Sequence, residues 1–128
     1  MANKKILVVD DEVMLVDLIA IRLEANGYDV ACAHDGFEGL SKAQQIRPDL
    51  IILDINMVGM DGYTMLKEVR KNDQIKNTKV IMLTASGKKR ELFEKEGISD
   101  YITKPFDTED FLTRVDKVFK KKKDKKVK

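Results

Sequence analysis

The chain has 128 residues, enough for one domain with its own core and too few for two. Composition is that of a globular protein, 43% hydrophobic and 36% charged, and the single cysteine, Cys32, excludes both an internal disulfide and a cysteine-built metal site. The net charge of +2 hides an asymmetry: residues 120–128 hold seven lysines and one aspartate, a net +6, which leaves the body before them near −4.

The opening Met1-Ala2-Asn3-Lys4-Lys5 runs straight into Ile6-Leu7-Val8-Val9, an apolar stretch too short for a signal peptide. No apolar run approaches the roughly 18 residues that span a bilayer, so a cytoplasmic protein without membrane insertion is expected. Ile6–Val9 has no polar interruption and reads as a strand buried on both faces. Val16, Ile19, Ala20 and Leu23 follow at helical spacing, with Leu15 and Leu18 widening the apolar face, and Asn26-Gly27 supplies a stop. Asp29–Ala33 is a weaker strand candidate, in which Cys32 reads as a small buried apolar residue. His34, just after it, reads as a surface histidine. Asp35-Gly36 then opens a helix carrying Phe37, Leu40 and Ala43.

Leu50-Ile51-Ile52-Leu53 repeats the uninterrupted strand pattern, and Asp61-Gly62 reads as the turn and cap of a helix with Met65, Leu66 and Val69. Val80-Ile81-Met82-Leu83 is a fourth strand, Leu92 and Phe93 suggest a short helix, and Tyr101-Ile102-Thr103 a weaker fifth strand. The last helix has an acidic first turn, Asp107 to Asp110, an apolar set of Phe111, Leu112, Val115, Val118 and Phe119, and lysines at its end, as the helix dipole favours. Strands alternating with helices predict an α/β fold: a doubly wound, five-stranded parallel sheet with helices on both faces.

In such sheets ligands bind beyond the carboxyl ends of the strands. The predicted strands end in Asp10-Asp11, Asp54, Thr84 and Lys104-Pro105. Carboxylates gathered at one edge repel, and a divalent cation relieves the repulsion. Oxygen ligands without His or Cys point to Mg2+ or a similar ion. A carboxylate also serves as nucleophile toward phosphorus, and Lys104 and Thr84 would then stabilise charge on the transferred group.

Asp10-Asp11, Asp54, Met60-Asp61-Gly62, Leu83-Thr84-Ala85 and Lys104-Pro105-Phe106 together resemble the receiver domain of two-component response regulators, including the chemotaxis-type single-domain regulators. The resemblance runs from about Lys5 to Phe119, which implies a receiver domain over residues 1–119 and a basic tail or linker start over 120–128. It implies a flavodoxin-like (βα)5 sheet of strand order 2-1-3-4-5, with Asp54 as phosphoacceptor. Mg2+ is expected on Asp11, Asp54 and the carbonyl of Asn56, with Asp10 holding metal-bound water. Lys104 and Thr84 would contact the phosphoryl group, and Thr84 and Tyr101 would form the conformational switch. The Lys104-Pro105 bond is expected to be cis. The implied partners are a histidine kinase or phosphotransfer protein and an output partner or output domain, with no direct nucleic-acid binding.

Two positions depart from the family pattern. Val58 stands where many relatives carry proline, and the Thr84–Lys104 interval is about two residues short, so the helix near Leu92 is expected to start late or to be poorly ordered. Ser86 and Asn56 point to an acyl phosphate of ordinary lifetime. Two other classes fit less well. An aspartyl-phosphate phosphatase needs an acid at position 56, which is Asn, and a phosphate-cradling nucleotide fold needs glycine where this chain has Asp10-Asp11-Glu12. A receiver-like binding module without phosphorylation would be expected to lack one of the acidic, Thr or Lys positions.

Overall fold

The computed structural model describes residues 3–85 and 95–126, with side chains described as far as residue 120. The helix expected around Leu92 and Phe93, and Ser86, lie outside the described residues. The elements in chain order are β1 (Lys5–Val9), α1 (Val13–Ala25), β2 (Asp29–Ala33), α2 (Gly36–Ile46), β3 (Leu50–Asp54), α3 (Gly62–Lys71), β4 (Lys79–Thr84), β5 (Asp100–Thr103) and α4 (Thr108–Lys126). All four neighbouring strand pairs are parallel, and the order across the sheet is β2-β1-β3-β4-β5, as expected.

The uninterrupted apolar strands have a direct explanation. Side chains alternate between sheet faces, and here both faces are covered. Leu7, Val9, Ile51, Leu53, Val80 and Met82 join one core with Ala43 of α2 and Met65, Leu66 and Val69 of α3. Ile6, Val8, Leu50, Ile52, Ile81 and Leu83 join the other with Val16, Ile19 and Leu23 of α1 and Phe111 and Val115 of α4. Each such aliphatic side chain contributes roughly 1.5–3 kcal/mol on burial, so every strand supports both layers.

Helix termini follow local chemistry. Gly27 takes the left-handed conformation, φ 92°, at the end of α1, where its N–H donates to Glu24 O. The carboxylates of Asp35, Asp61 and Asp107 accept from the backbone N–H groups of Glu38, Thr64 and Asp110, each three residues on. Lys104-Pro105 is cis.

Several expectations need correction. Leu18 and Phe37 do not belong to the buried faces of their helices; both are exposed. In α2 the close approaches fall to glycines instead: a Cβ on Gly39 would lie 2.9 Å from Val9 Cγ1 of the sheet, and one on Gly36 would lie 2.6 Å from Met60 O in the loop after β3. His34 is half-buried rather than on the surface, and its Nε2 is buried without a hydrogen-bond partner. Cys32 is likewise half-buried. The last helix runs on through the lysines to Lys126, as its basic end suggested. Among the described residues no helix is long and apolar enough to cross a membrane.

Arg70 of α3 organises the approach to β5. Its Nε donates to Glu96 O at 2.8 Å, and its Nη1 to Thr78 O at 2.8 Å and Lys76 O at 3.0 Å. One guanidinium thus satisfies carbonyls from the turns before β4 and before β5. Partial burial lowers its pKa from the ordinary value, against the opposing pull of Glu96.

Candidate functional site

The parallel sheet brings the carboxyl ends of β1, β3, β4 and β5 to one edge. Asp10 follows β1 and is held there by two local bonds. Its N–H donates to Ala33 O at 3.1 Å, and its Oδ1 accepts from the Glu12 N–H at 2.9 Å. Asp11 is exposed beside it. Asp54 ends β3 and is buried. Carboxylate oxygens of Asp10, Asp11 and Asp54 all lie within 4.8 Å of one another.

Lys104, at the turn after β5, meets this group. Its Nζ lies 2.9 Å from Asp10 Oδ2, 3.2 Å from Asp54 Oδ1 and 2.8 Å from Glu12 Oε1. The contact with Asp10 Oδ2 pairs charge without hydrogen-bond geometry, so that buried oxygen has no hydrogen-bond donor. Burial works against the Lys104 charge, but the hydrogen bond to Glu12 and the charges of Asp10 and Asp54 outweigh it and raise its pKa. One ammonium cannot neutralise four carboxylates. The excess appears at Asp54, whose pKa is pushed from 3.8 up to about 6, first by burial and then by Asp10, against Lys104 and the Asn56 backbone N–H.

These observations test the fit of a divalent cation. The donors are all carboxylate oxygens, one of them buried and lacking a donor, and they are crowded enough to raise a neighbour's pKa. Such a cluster suits a hard ion such as Mg2+.

Thr84 ends β4, buried, and is paired in register with Thr103 of β5; the neighbouring Leu83 pairs with Asp54. Thr84 O also accepts from the Lys104 N–H at 2.6 Å. Register alone therefore carries Thr84 to the Asp54 edge. Tyr101 lies further back on β5, opposite Met82, and is buried in the core shared with α2 and α3. Asn56 is exposed, directly past the strand end. His34 contributes no ligand to the carboxylate cluster.

Two contributors are missed by sequence reasoning. Glu12 reads in the sequence only as loop acidity, yet it contacts Lys104 across 92 residues of chain. Gly62 reads only as half of a turn, yet a Cβ there would lie 2.3 Å from Asp54 O and 2.7 Å from Ile55 Cα. Its place just after a helix cap was the available signal. Beside the site, Glu12, Leu15, Leu18, Ala85, Pro105 and Phe106 line a largely apolar cleft of about 430 Å³.

Known proteins resemble this chain in family, sequence and fold. Residues 6–116 match the response regulator receiver domain family. The chain is 42% identical over 113 residues to the DNA-binding dual master transcriptional regulator RpaA of Synechocystis sp., covering 87% of this chain and 47% of that protein. It is 42% identical over 124 residues to the alkaline phosphatase synthesis transcriptional regulatory protein PhoP of Bacillus subtilis, covering 93% of this chain and 50% of that protein. The chain thus spans about half the length of the curated relatives it matches. Among solved structures, the chemotaxis protein CheY4 of Vibrio cholerae superposes with a TM-score of 0.85 at 38% identity, covering 91% of this chain and 99% of that one. A CheY-like receiver domain protein of Methanospirillum hungatei gives 0.86 at 30% identity, covering 96% and 99%. Sheet order, edge chemistry and sequence agree: the chain belongs to the response regulator receiver domain family, the phosphoacceptor switches of two-component signalling.

Proposed function

We propose that Asp54 is the phosphoacceptor of this receiver. The observation that carries the reading is the convergence on Asp54 of a buried strand end, two further aspartates and the Lys104 ammonium. Asp54 is the nucleophile. Lys104 Nζ, already 3.2 Å from Asp54 Oδ1, holds the arriving phosphoryl oxygens, and the Thr84 hydroxyl donates a further hydrogen bond. Asp10, Asp11, Asp54 and the Asn56 carbonyl would hold Mg2+. When bound, the ion supplies positive charge to the phosphoryl oxygens. Asp10 itself is too enclosed to meet a phosphodonor; it fixes Lys104 and would order metal-bound water.

Thr84 and Tyr101 form the switch. Movement of Thr84 toward a phosphorylated Asp54 changes the space available to Tyr101, and the phosphoryl group biases two packings of these side chains. The donor is a histidine kinase or a phosphotransfer protein. The domain serves as a switch for an output partner or output domain and does not turn over an outside substrate. Residues 1–119 form the receiver, and the basic segment after them is a tail or linker. The acidic edge does not suit a nucleic-acid backbone, so DNA binding of the kind named for RpaA is not assigned to this domain.

Intact mass after incubation with acetyl phosphate and Mg2+ tests the reading. A gain of about 80 Da, one phosphoryl group, is expected in wild type and not in Asp54→Asn. A gain that survives in Asp54→Asn would move the acceptor elsewhere.

A further inference from the structure

The rim of the site carries a charge with no part in the scheme above. Lys104 has three N–H donors and meets three carboxylates. The side chains of Asp10 and Asp54 are 0% and 4% exposed, whereas that of Glu12 is 61% exposed. A phosphoryl group on Asp54 requires N–H donors from Lys104, so a present partner must let go. Asp10 is tied to the turn through Oδ1 and has no water to turn to. Glu12 releases into solvent at little cost.

We propose that Glu12 is a positioning residue that occupies Lys104 until the phosphoryl group arrives, and that its charge makes the site favour phosphodonors of lower negative charge. The proposal rests on Asp54 as the acceptor. In the step concerned, an Asp54 carboxylate oxygen forms a bond to phosphorus. The bond from phosphorus to the leaving group breaks, and its electron pair departs on acetate from acetyl phosphate or on ammonia from phosphoramidate. Near neutral pH the first donor is a dianion and the second a net monoanion. Both must pass the exposed Glu12 carboxylate, and the dianion is repelled more.

The test compares phosphorylation rate constants for the two donors, with Mg2+, in wild type, Glu12→Gln and Glu12→Asp. Glu12→Gln should raise the acetyl phosphate to phosphoramidate rate ratio by about threefold at low salt, the effect of one unit charge some 6 Å away through water. The change should shrink as salt is added. Glu12→Asp keeps the charge on a shorter arm, so it should retain the wild-type ratio. Both variants should loosen the hold on Lys104, seen without Mg2+ as faster exchange of its ammonium resonance in NMR. An unchanged ratio in Glu12→Gln, or a Gln-like ratio in Glu12→Asp, overturns this proposal alone. No phosphoryl gain in wild type overturns the acceptor reading and this proposal with it.

Discussion

Asp54 works under opposing demands. A nucleophile for phosphorus must be ionised, yet burial and the Asp10 charge favour its neutral form and raise its pKa to about 6. The raised value means that the folded state binds the proton more tightly than the unfolded chain does. The associated stability is complete below the unfolded value of 3.8 and is lost as pH rises through about 6. Without divalent cations, wild type should therefore lose stability relative to Asp54→Asn between about pH 4 and pH 7. Urea midpoints in a chelating buffer would show the two curves diverging, and added Mg2+ should bring them together. Parallel curves in the chelator would contradict the burial argument. Gly62 makes a different demand at the same place. The Cβ of Gly62→Ala would meet the Asp54 carbonyl oxygen at 2.3 Å, and because that atom belongs to the backbone, relief requires α3 to move away from the strand end. A loss of about 1–3 kcal/mol is expected by chemical denaturation, together with slower phosphorylation.

Among the elements, α3 joins separate parts of the chain. Its first residue packs on the end of β3, and Arg70, in its last turn, bonds the turns that lead into β4 and β5. Arg70→Ala would leave the carbonyls of Thr78 and Glu96 without this donor. The expected cost is roughly 2–3 kcal/mol, and Arg70→Lys should recover little because a lysine lacks the planar fork. Hydrogen exchange should quicken in residues 95–99 more than in β1; uniform acceleration would count against a local clamp. The elements also differ in how far the sequence announces them. Ile6–Val9, Leu50–Leu53 and Val80–Leu83 were legible because both of their faces are buried, which leaves no polar residue in the run. Asp61 was legible as a cap because its side chain serves its own helix. What was not legible depends on contacts distant in sequence. Phe37 shows helical spacing but points to solvent, because the tight contacts of α2 fall to Gly39, against Val9 of β1, and Gly36, against Met60. Glu12 belongs to the site only through Lys104, and no local pattern encodes a contact across the sheet edge. The site aspartates were legible for the opposite reason: a parallel sheet carries every strand end to one edge, so order along the chain becomes position in space.

For the whole molecule, the two-sided core gives a clear expectation for the basic segment. Among the described side chains of α4, the last that pack against the body are Val118 and Phe119, the latter beside Tyr28 with a ring separation of 5.5 Å. Truncation after Lys120 should leave the urea midpoint unchanged within about 0.5 kcal/mol, whereas Phe111→Ala should cost about 3–5 kcal/mol. A large loss on truncation would extend the domain beyond residue 119. The course of α4 has one more consequence. The helix leaves the sheet edge that holds Asp10, Asp11 and Asp54 and runs back past the start of β2, so its lysine-rich end emerges on the opposite side, about 28 Å of helix away for 19 residues. The acidic site and the lysine-rich end of the helix therefore lie toward opposite ends of the sheet. In the field of a charged partner such a molecule experiences a torque before it makes any contact, and the acidic pole turns first toward a positively charged surface.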